Sequence, residues 1–170
     1  MPRKNIRLLN YDYKQSGDYF VTLCVHQKRC LFGEINNGEM LLNPLGHIAK
    51  RCWQHLSCKY NDIQLGEYII MPNHMHGIIH FRNHLQGSNE ALIPKKYKLH
   101  LGKILKYYKT RVAQRIKNIN PNHYQNLKIW QKNYFERIIR HEIEYYFIEE
   151  YIKNNPRSWG NNILTLYLKN

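Results

Sequence analysis

Apolar residues recur at two different spacings along the chain, and the two spacings divide it into strands and helices. Tyr19-Phe-Val-Thr-Leu-Cys-Val25 is β-branched and aromatic and follows Ser16-Gly17-Asp18, which predicts a buried first strand. Between Leu31 and Leu42 the dipeptide Asn37-Gly38 predicts a tight hairpin. Beyond Asn43-Pro44 the residues Leu45, Ile48, Ala49, Cys52 and Trp53 return at helical intervals, with Asn43 as the cap and an end near Ser57. Two apolar stretches follow, Ile63 to Met71 and His74 to Phe81, joined at Pro72-Asn73. A polar loop is expected from Arg82 to Pro94.

The stripe Leu101, Leu105, Tyr108, Val112 and Ile116 predicts a second long helix over Lys98 to Lys117. Asn118 to Asn126, with Pro121, reads as loop. Trp130-Gln131 opens a strand-like stretch through Tyr134, Phe135, Ile138 and Ile139, and a last helix runs from His141 to about Asn154 before Pro156 stops it. This order predicts one α+β domain over residues 1–170, with helices packed on a mainly antiparallel sheet. The split β-α-β plan of ferredoxin-like (RRM-like) domains fits it best. That plan serves many functions, so function has to be read from particular residues.

Composition changes the picture in one respect. The 170 residues hold 26 Lys and Arg against 12 Asp and Glu, a formal charge of +14, and 14 are Tyr. Cations with many aromatic rings suit a nucleic-acid partner, whose phosphates pair with the charges while its bases stack on the rings. The positive charge is also clustered. No acid occurs from Ala91 through Phe135, a stretch that contains Lys95, Lys96, Lys98, Lys103, Lys106, Lys109, Lys117 and Lys132. Lys103, Lys106 and Lys117 fall opposite the apolar stripe of the second helix, on a face able to track a phosphate backbone. No apolar run is long enough for a spanning helix and the first residues do not read as a secretory signal, so no membrane is expected. A cytoplasmic, nucleoid-associated protein is predicted. Cys24, Cys30, Cys52 and Cys58 lack the close spacing of zinc sites and read as small buried hydrophobes.

His74-Met75-His76 opens a strand, where residues i and i+2 share a face about 7 Å apart, close enough for two imidazoles to meet one cation. The same alternation would also suit a satisfied sheet face. His80 shares the face by parity but lies about 13 Å from His76, too far for the same coordination sphere. On the last helix Tyr151 and Asn155 are one turn apart, which puts a phenol and an amide on the same side. Beside the histidines, Asn155 becomes a candidate third ligand and Tyr151 a candidate nucleophile. Taken alone, Tyr151 reads equally as a packing residue and Asn155 as a helix terminus.

In the context Met71-Pro-Asn-His-Met-His-Gly-Ile-Ile79 the sequence resembles the single-tyrosine HUH transposases, in particular the REP-associated tyrosine transposase branch. Further blocks carry the resemblance: Gly17-Asp-Tyr-Phe-Val-Thr22, Leu31-Phe-Gly-Glu-Ile35, Trp130 to Arg140, and Tyr151-Ile-Lys-Asn-Asn-Pro156 with Trp159. It spans roughly Tyr11 to Trp159 and departs from the branch at Arg137, where the branch carries a histidine. The resemblance implies a nuclease domain acting on single-stranded DNA, often beside a hairpin. It matches His74 and His76 to the metal-binding pair, Tyr151 to the nucleophile and Asn155 to the polar ligand.

The expected activity is metal-dependent nicking and strand transfer through a covalent 5'-phosphotyrosine. Phosphate and oxygen ligands favour Mg or Mn as the cofactor, and no nucleotide cofactor is expected. The partner expected is single-stranded or hairpin DNA, and the chain is equally compatible with a monomer and a homodimer. Two other readings stand beside this one. The first is a non-catalytic nucleic-acid-binding domain that uses sheet aromatics. The second is a zinc hydrolase that would recruit a carboxylate such as Glu136, Glu149 or Glu150.

Overall fold

The computed structural model describes residues 17–81 and 100–159. Its first strand, β1 (Gly17–Cys24), becomes one of the two inner strands of a four-stranded sheet. The hairpin strands β2 (Gly33–Asn36) and β3 (Glu39–Leu42) stand apart as their own pair, and at their turn Asn37 and Gly38 both have positive φ, at 51° and 77°. That is the backbone a two-residue primed turn requires. Asn43 then caps α1 (Pro44–Gln54), its Oδ1 accepting from the amides of Leu45 and Gly46, with Pro44 in the first turn. A short α2 (Leu56–Lys59) leads to β4 (Ile63–Ile70) and β5 (His74–Phe81). After α3 (Leu101–Ile119) and α4 (Pro121–Tyr124) come β6 (Phe135–Ile139) and α5 (Glu142–Asn154).

The sheet order is β4-β5-β1-β6, and every neighbouring pair is antiparallel. Each split β-α-β unit therefore inserts one strand between the two it connects, which is the expected ferredoxin-like α+β plan. Alternation along β1 assigns the two faces of the sheet. Tyr19, Val21 and Leu23 face α1 and α3, where Trp53, Leu105, Tyr108 and Val112 complete the main core. Gly77 of β5 is what lets the Trp53 indole lie against the sheet, because a Cβ there would sit 2.4 Å from the ring. Phe20 and Ile78 face the other way, into a smaller cluster with Ile139 and with Ile148 and Ile152 of α5. The five-residue second cluster fixes α5 on the face that also carries His74, His76 and His80.

Several expectations need correction. The stretch Asn118 to Asn126 is not loop throughout, because Asn120 accepts from the His123 amide and Pro121 starts α4. The strand expected from Trp130 begins only at Phe135, and Trp130 contributes a single bridge to Val25. What ties this segment down is the Lys109 ammonium, which donates to the carbonyls of Gln131 and Lys132 at 2.5 and 3.2 Å. All four cysteines are free, but only Cys52 is buried. Cys30 and Cys58 are exposed, the latter because α2 turns only Leu56 inward. The expected loop Arg82 to Pro94, and Lys95, Lys96 and Lys98, lie outside the described residues. Among the described residues no helix is long and apolar enough to cross a membrane.

Candidate active site

β5 begins directly after the Pro72-Asn73 turn, so strand alternation turns His74 and His76 to the same face, with ring centroids 4.6 Å apart. His76 is wholly buried, stacked on Phe20 at 5.3 Å. Its Nδ1 lies 2.8 Å from the Thr22 hydroxyl, the residue opposite it in the β1–β5 register. His74 Nδ1 lies 2.6 Å from Asn73 Oδ1, and its ring stacks on Trp159 with centroids 6.0 Å apart. Both side chains are thus gripped through Nδ1, and both offer Nε2 to the space beneath α5.

α5 fills that space. Its helical period carries Tyr145, Ile148, Tyr151 and Ile152 onto the sheet, with the exposed face given to Glu142, Tyr146 and Lys153. Tyr151 brings its hydroxyl to 3.2 Å from His76 Nε2. Asn155, at the carboxy-terminal cap, is 7% exposed, and its side chain acts on both the His74 ring and the Tyr151 hydroxyl. The four residues singled out by spacing therefore meet in one place, although α5 is separated from β5 by more than sixty positions of sequence.

Burial sets the electrostatics. It pushes the His74 pKa down to about 4, with an opposing contribution from the Asn155 contact and a small further depression from the Lys28 charge. Burial and the neighbouring His74 ring hold His76 well below the usual imidazole range. Neutral imidazoles keep a lone pair, which is the form that binds a cation. The Tyr151 hydroxyl is raised by burial to about 12, with Asn155 pulling in the opposite direction. A phenol so placed is fully protonated at neutral pH, and it needs an adjacent positive charge to become a nucleophile.

The donor set fits a divalent cation. His74 Nε2 is buried and without a hydrogen-bond partner among the described residues, a costly state for a polar nitrogen that a metal ion would relieve. His76 Nε2 is occupied only by the Tyr151 hydroxyl, and the Asn155 amide supplies oxygen chemistry beside them. The carboxylates considered for a zinc hydrolase are elsewhere. Glu136 lies opposite Val21 and so on the other face of the sheet, while Glu149 and Glu150 pair with Lys153 on α5. Among the described residues no group of three His, Cys, Asp or Glu is placed to hold a metal, so the third donor available here is the amide.

Arg137 faces the same side as Phe20. Its Nε donates to Glu144 Oε1 at 2.6 Å. Burial would raise the Glu144 carboxyl, but the Arg140 amide and the Arg137 guanidinium outweigh it and hold it below the usual range. This pairing fastens the first turn of α5 to β6. Next to it an apolar groove of about 620 Å³ runs between α5 and β6, from Phe147 and Arg140 to Phe20 and the open side of Tyr151.

The lysines divide. Lys103 and Lys106 are exposed on α3 with Thr110 and Gln114, as their helical positions predict, and Lys117 is half-buried at the far end of the same face. Lys106, Lys109, Lys117 and Lys132 line a second groove of about 620 Å³ against Trp130 and Tyr134. Lys109 differs from the rest, because its ammonium is engaged by backbone carbonyls. α3 packs on the sheet face opposite α5, so this groove and the imidazoles are on different sides of the sheet. They share one end of it. The Gln131 amide donates to the Cys24 carbonyl, and Cys24 stands opposite His74.

Three contributors escaped the sequence reading. Thr22 and Asn73 hold the rings, and Lys28 acts on His74 from a turn where Gln27 and Lys28 both have positive φ. Thr22 shares its strand face with Phe20 and could have been found once β1 was paired with β5. The position of Lys28 has no comparable local signal.

Among known proteins, no family model matches this chain. An uncharacterised protein of Haemophilus influenzae is 37% identical over 165 residues, covering 92% of this chain and 89% of that protein. The solved structure of a REP-associated tyrosine transposase bound to a REP hairpin superposes with a TM-score of 0.60 at 17% identity, over 91% of this chain and 74% of that one.

Proposed function

We propose, from the premise that this chain belongs to one family with the Haemophilus influenzae protein and has the fold of a tyrosine transposase, that it is a metal-dependent DNA strand transferase of the tyrosine HUH type. It acts on single-stranded DNA beside a hairpin, with Tyr151 as nucleophile and His74, His76 and Asn155 as metal ligands. The observation that carries this reading is the Tyr151 hydroxyl 3.2 Å from His76 Nε2, on a pair of imidazoles held neutral by burial.

A divalent cation, Mg or Mn, held there would polarise the scissile phosphate and offset the charge that grows as the tyrosine attacks. Every other step belongs to the chain. Tyr151 releases its proton and its oxygen bonds to phosphorus, the bond from phosphorus to the 3' oxygen breaks, and that oxygen takes a proton to leave a free 3' hydroxyl. One phosphodiester replaces another, so the 5'-phosphotyrosine can be resolved by a different 3' end with no nucleotide cofactor. Asn155 aligns the phenol as well as completing the donor set. Phe20 packs against the Tyr151 ring, with centroids 6.2 Å apart, and limits its swing.

Lys106, Lys117 and Lys132 hold the phosphate backbone in the groove beside α3, with Lys103 exposed on the same helix, and the strand passes round the shared end of the sheet, near Lys28, to reach Tyr151. In the sequence, Lys95, Lys96 and Lys98 belong to the same acid-free basic stretch. The deciding experiment uses labelled hairpin-bearing single-stranded DNA with Mn. A protein–DNA adduct that resists denaturation is expected with the wild-type chain and not with Tyr151→Phe. Binding without any adduct would instead leave a nucleic-acid-binding domain.

A further inference from the structure

Each imidazole of the site is held through the nitrogen that points away from Tyr151. His76 Nδ1 is 2.8 Å from Thr22 Oγ1, and His74 Nδ1 is 2.6 Å from Asn73 Oδ1. An amide oxygen only accepts, so the short His74 contact requires a proton on Nδ1 and leaves Nε2 with the lone pair. The Thr22 hydroxyl is able to accept as well, and a phenol donating to His76 Nε2 assigns the same tautomer to the second ring.

The two holders are themselves rigid. Thr22 is in the middle of the sheet, paired with β5 on one side and β6 on the other. Asn73 is in a turn whose backbone is pinned three times. Its own carbonyl accepts from the Val25 amide at 2.8 Å, and the Pro72 carbonyl accepts from Leu31 and Phe32 at 2.9 and 3.0 Å. The register explains why two different elements are needed. Thr22 stands opposite His76, but Cys24 stands opposite His74, and a thiol is a weak acceptor. The turn supplies an amide in its place.

We propose that Thr22 and Asn73 are positioning residues that hold both imidazoles as Nδ1–H tautomers, so that two Nε2 lone pairs converge on one point beneath α5. The inference rests on the strand-transfer reading for what that point binds, and on the hydrogen bonds alone for the tautomers. Outer partners of ligating histidines fix ring orientation and typically change metal affinity about 10–100-fold when removed.

The test has two arms. Ring-nitrogen NMR shifts of the metal-free wild-type chain are expected to show protonated Nδ1 and unprotonated Nε2 for His74 and His76. Unprotonated Nδ1 on either ring overturns the inference, and this arm needs no variant to fold. Titration calorimetry with Mn is then expected to give about 10–100-fold weaker binding for Thr22→Val and for Asn73→Ala, with recovery in Thr22→Ser. Wild-type affinity in Thr22→Val and Asn73→Ala would also overturn it. A wild-type chain that binds no Mn counts against the strand-transfer reading, while the ring shifts still decide the tautomers.

Discussion

Two histidine–tyrosine contacts tie α5 to β5, and they have been given different surroundings. At one end the Tyr151 hydroxyl meets His76 at 3.2 Å, and at the other the Tyr145 hydroxyl meets His80 at 3.5 Å. The outer nitrogen of His76 faces a neutral hydroxyl, whereas that of His80 faces the Asp18 carboxylate at 2.7 Å. His76 has a second imidazole 4.6 Å away and is wholly buried. The His80 side chain is 22% exposed and sits over Gly66, where β4 bulges between Leu65 and Tyr68. A Cβ on Gly66 would lie 2.7 Å from His80 Nε2 and 3.0 Å from the Tyr145 hydroxyl. The same pair of side chains therefore acts as a fastener where one imidazole is saturated by a carboxylate, and as a candidate reactive centre where two neutral imidazoles share one space.

The sharpest way to break this contrast is to remove one hydroxyl at a time. Tyr151→Phe should abolish the covalent DNA adduct, while Tyr145→Phe should still form it, as read on a denaturing gel with labelled DNA. If Tyr145→Phe is the variant that loses the adduct, the two ends have been assigned the wrong way round. Next in size, His76→Ala should lower cleavage by about 10³-fold, several kcal/mol of lost charge stabilisation, and largely spare DNA affinity. His80→Gln should retain cleavage. Single-turnover rates set against filter-binding affinities separate these effects.

Acid should act on the candidate reactive end. In the unfolded chain an imidazole titrates near 6.5, whereas in the folded metal-free protein His74 titrates at about 4 because burial disfavours its charge. The unfolded state then binds more protons between these values, so stability is complete above pH 6.5 and declines as pH falls toward 4. The loss from His74 alone is on the order of 3 kcal/mol. His76 is depressed by the same cause and adds to the loss in the same direction. Urea unfolding at a series of pH values measures it, and a flat profile over this window would contradict the buried neutral pair. The smallest effect is expected at the fastener. Gly66→Ala should cost about 1–3 kcal/mol by crowding His80 and Tyr145, seen as a lower melting temperature with the adduct still formed.

Much of this was legible along the chain wherever the physics is local. Asn37-Gly38 declared its turn because two consecutive positive φ values are cheap only for such residues. His74 and His76 had to share a face because a strand alternates, and Tyr151 and Asn155 because a helix returns every 3.6 residues. Expectations failed where a distant partner decided the outcome. Lys109 was grouped with cations free to meet phosphate, yet its ammonium holds the carbonyls that precede β6. Cys30 and Cys58 were expected inside, yet the short elements around them leave both exposed.

Periodicity and turn chemistry were enough to fix which residues form strands, which form helices, and which side chains face the same way, since those preferences act over a few neighbouring positions. That a helix from the end of the chain lies across the imidazoles, that Thr22 and Asn73 grip them from behind, and that β4 opens a gap at Gly66 were settled by assembly. Sheet register and the small apolar cluster of Phe20, Ile78, Ile148 and Ile152 bring those groups together. Contacts between residues so far apart in sequence depend on how whole elements pack, and no local pattern encodes that.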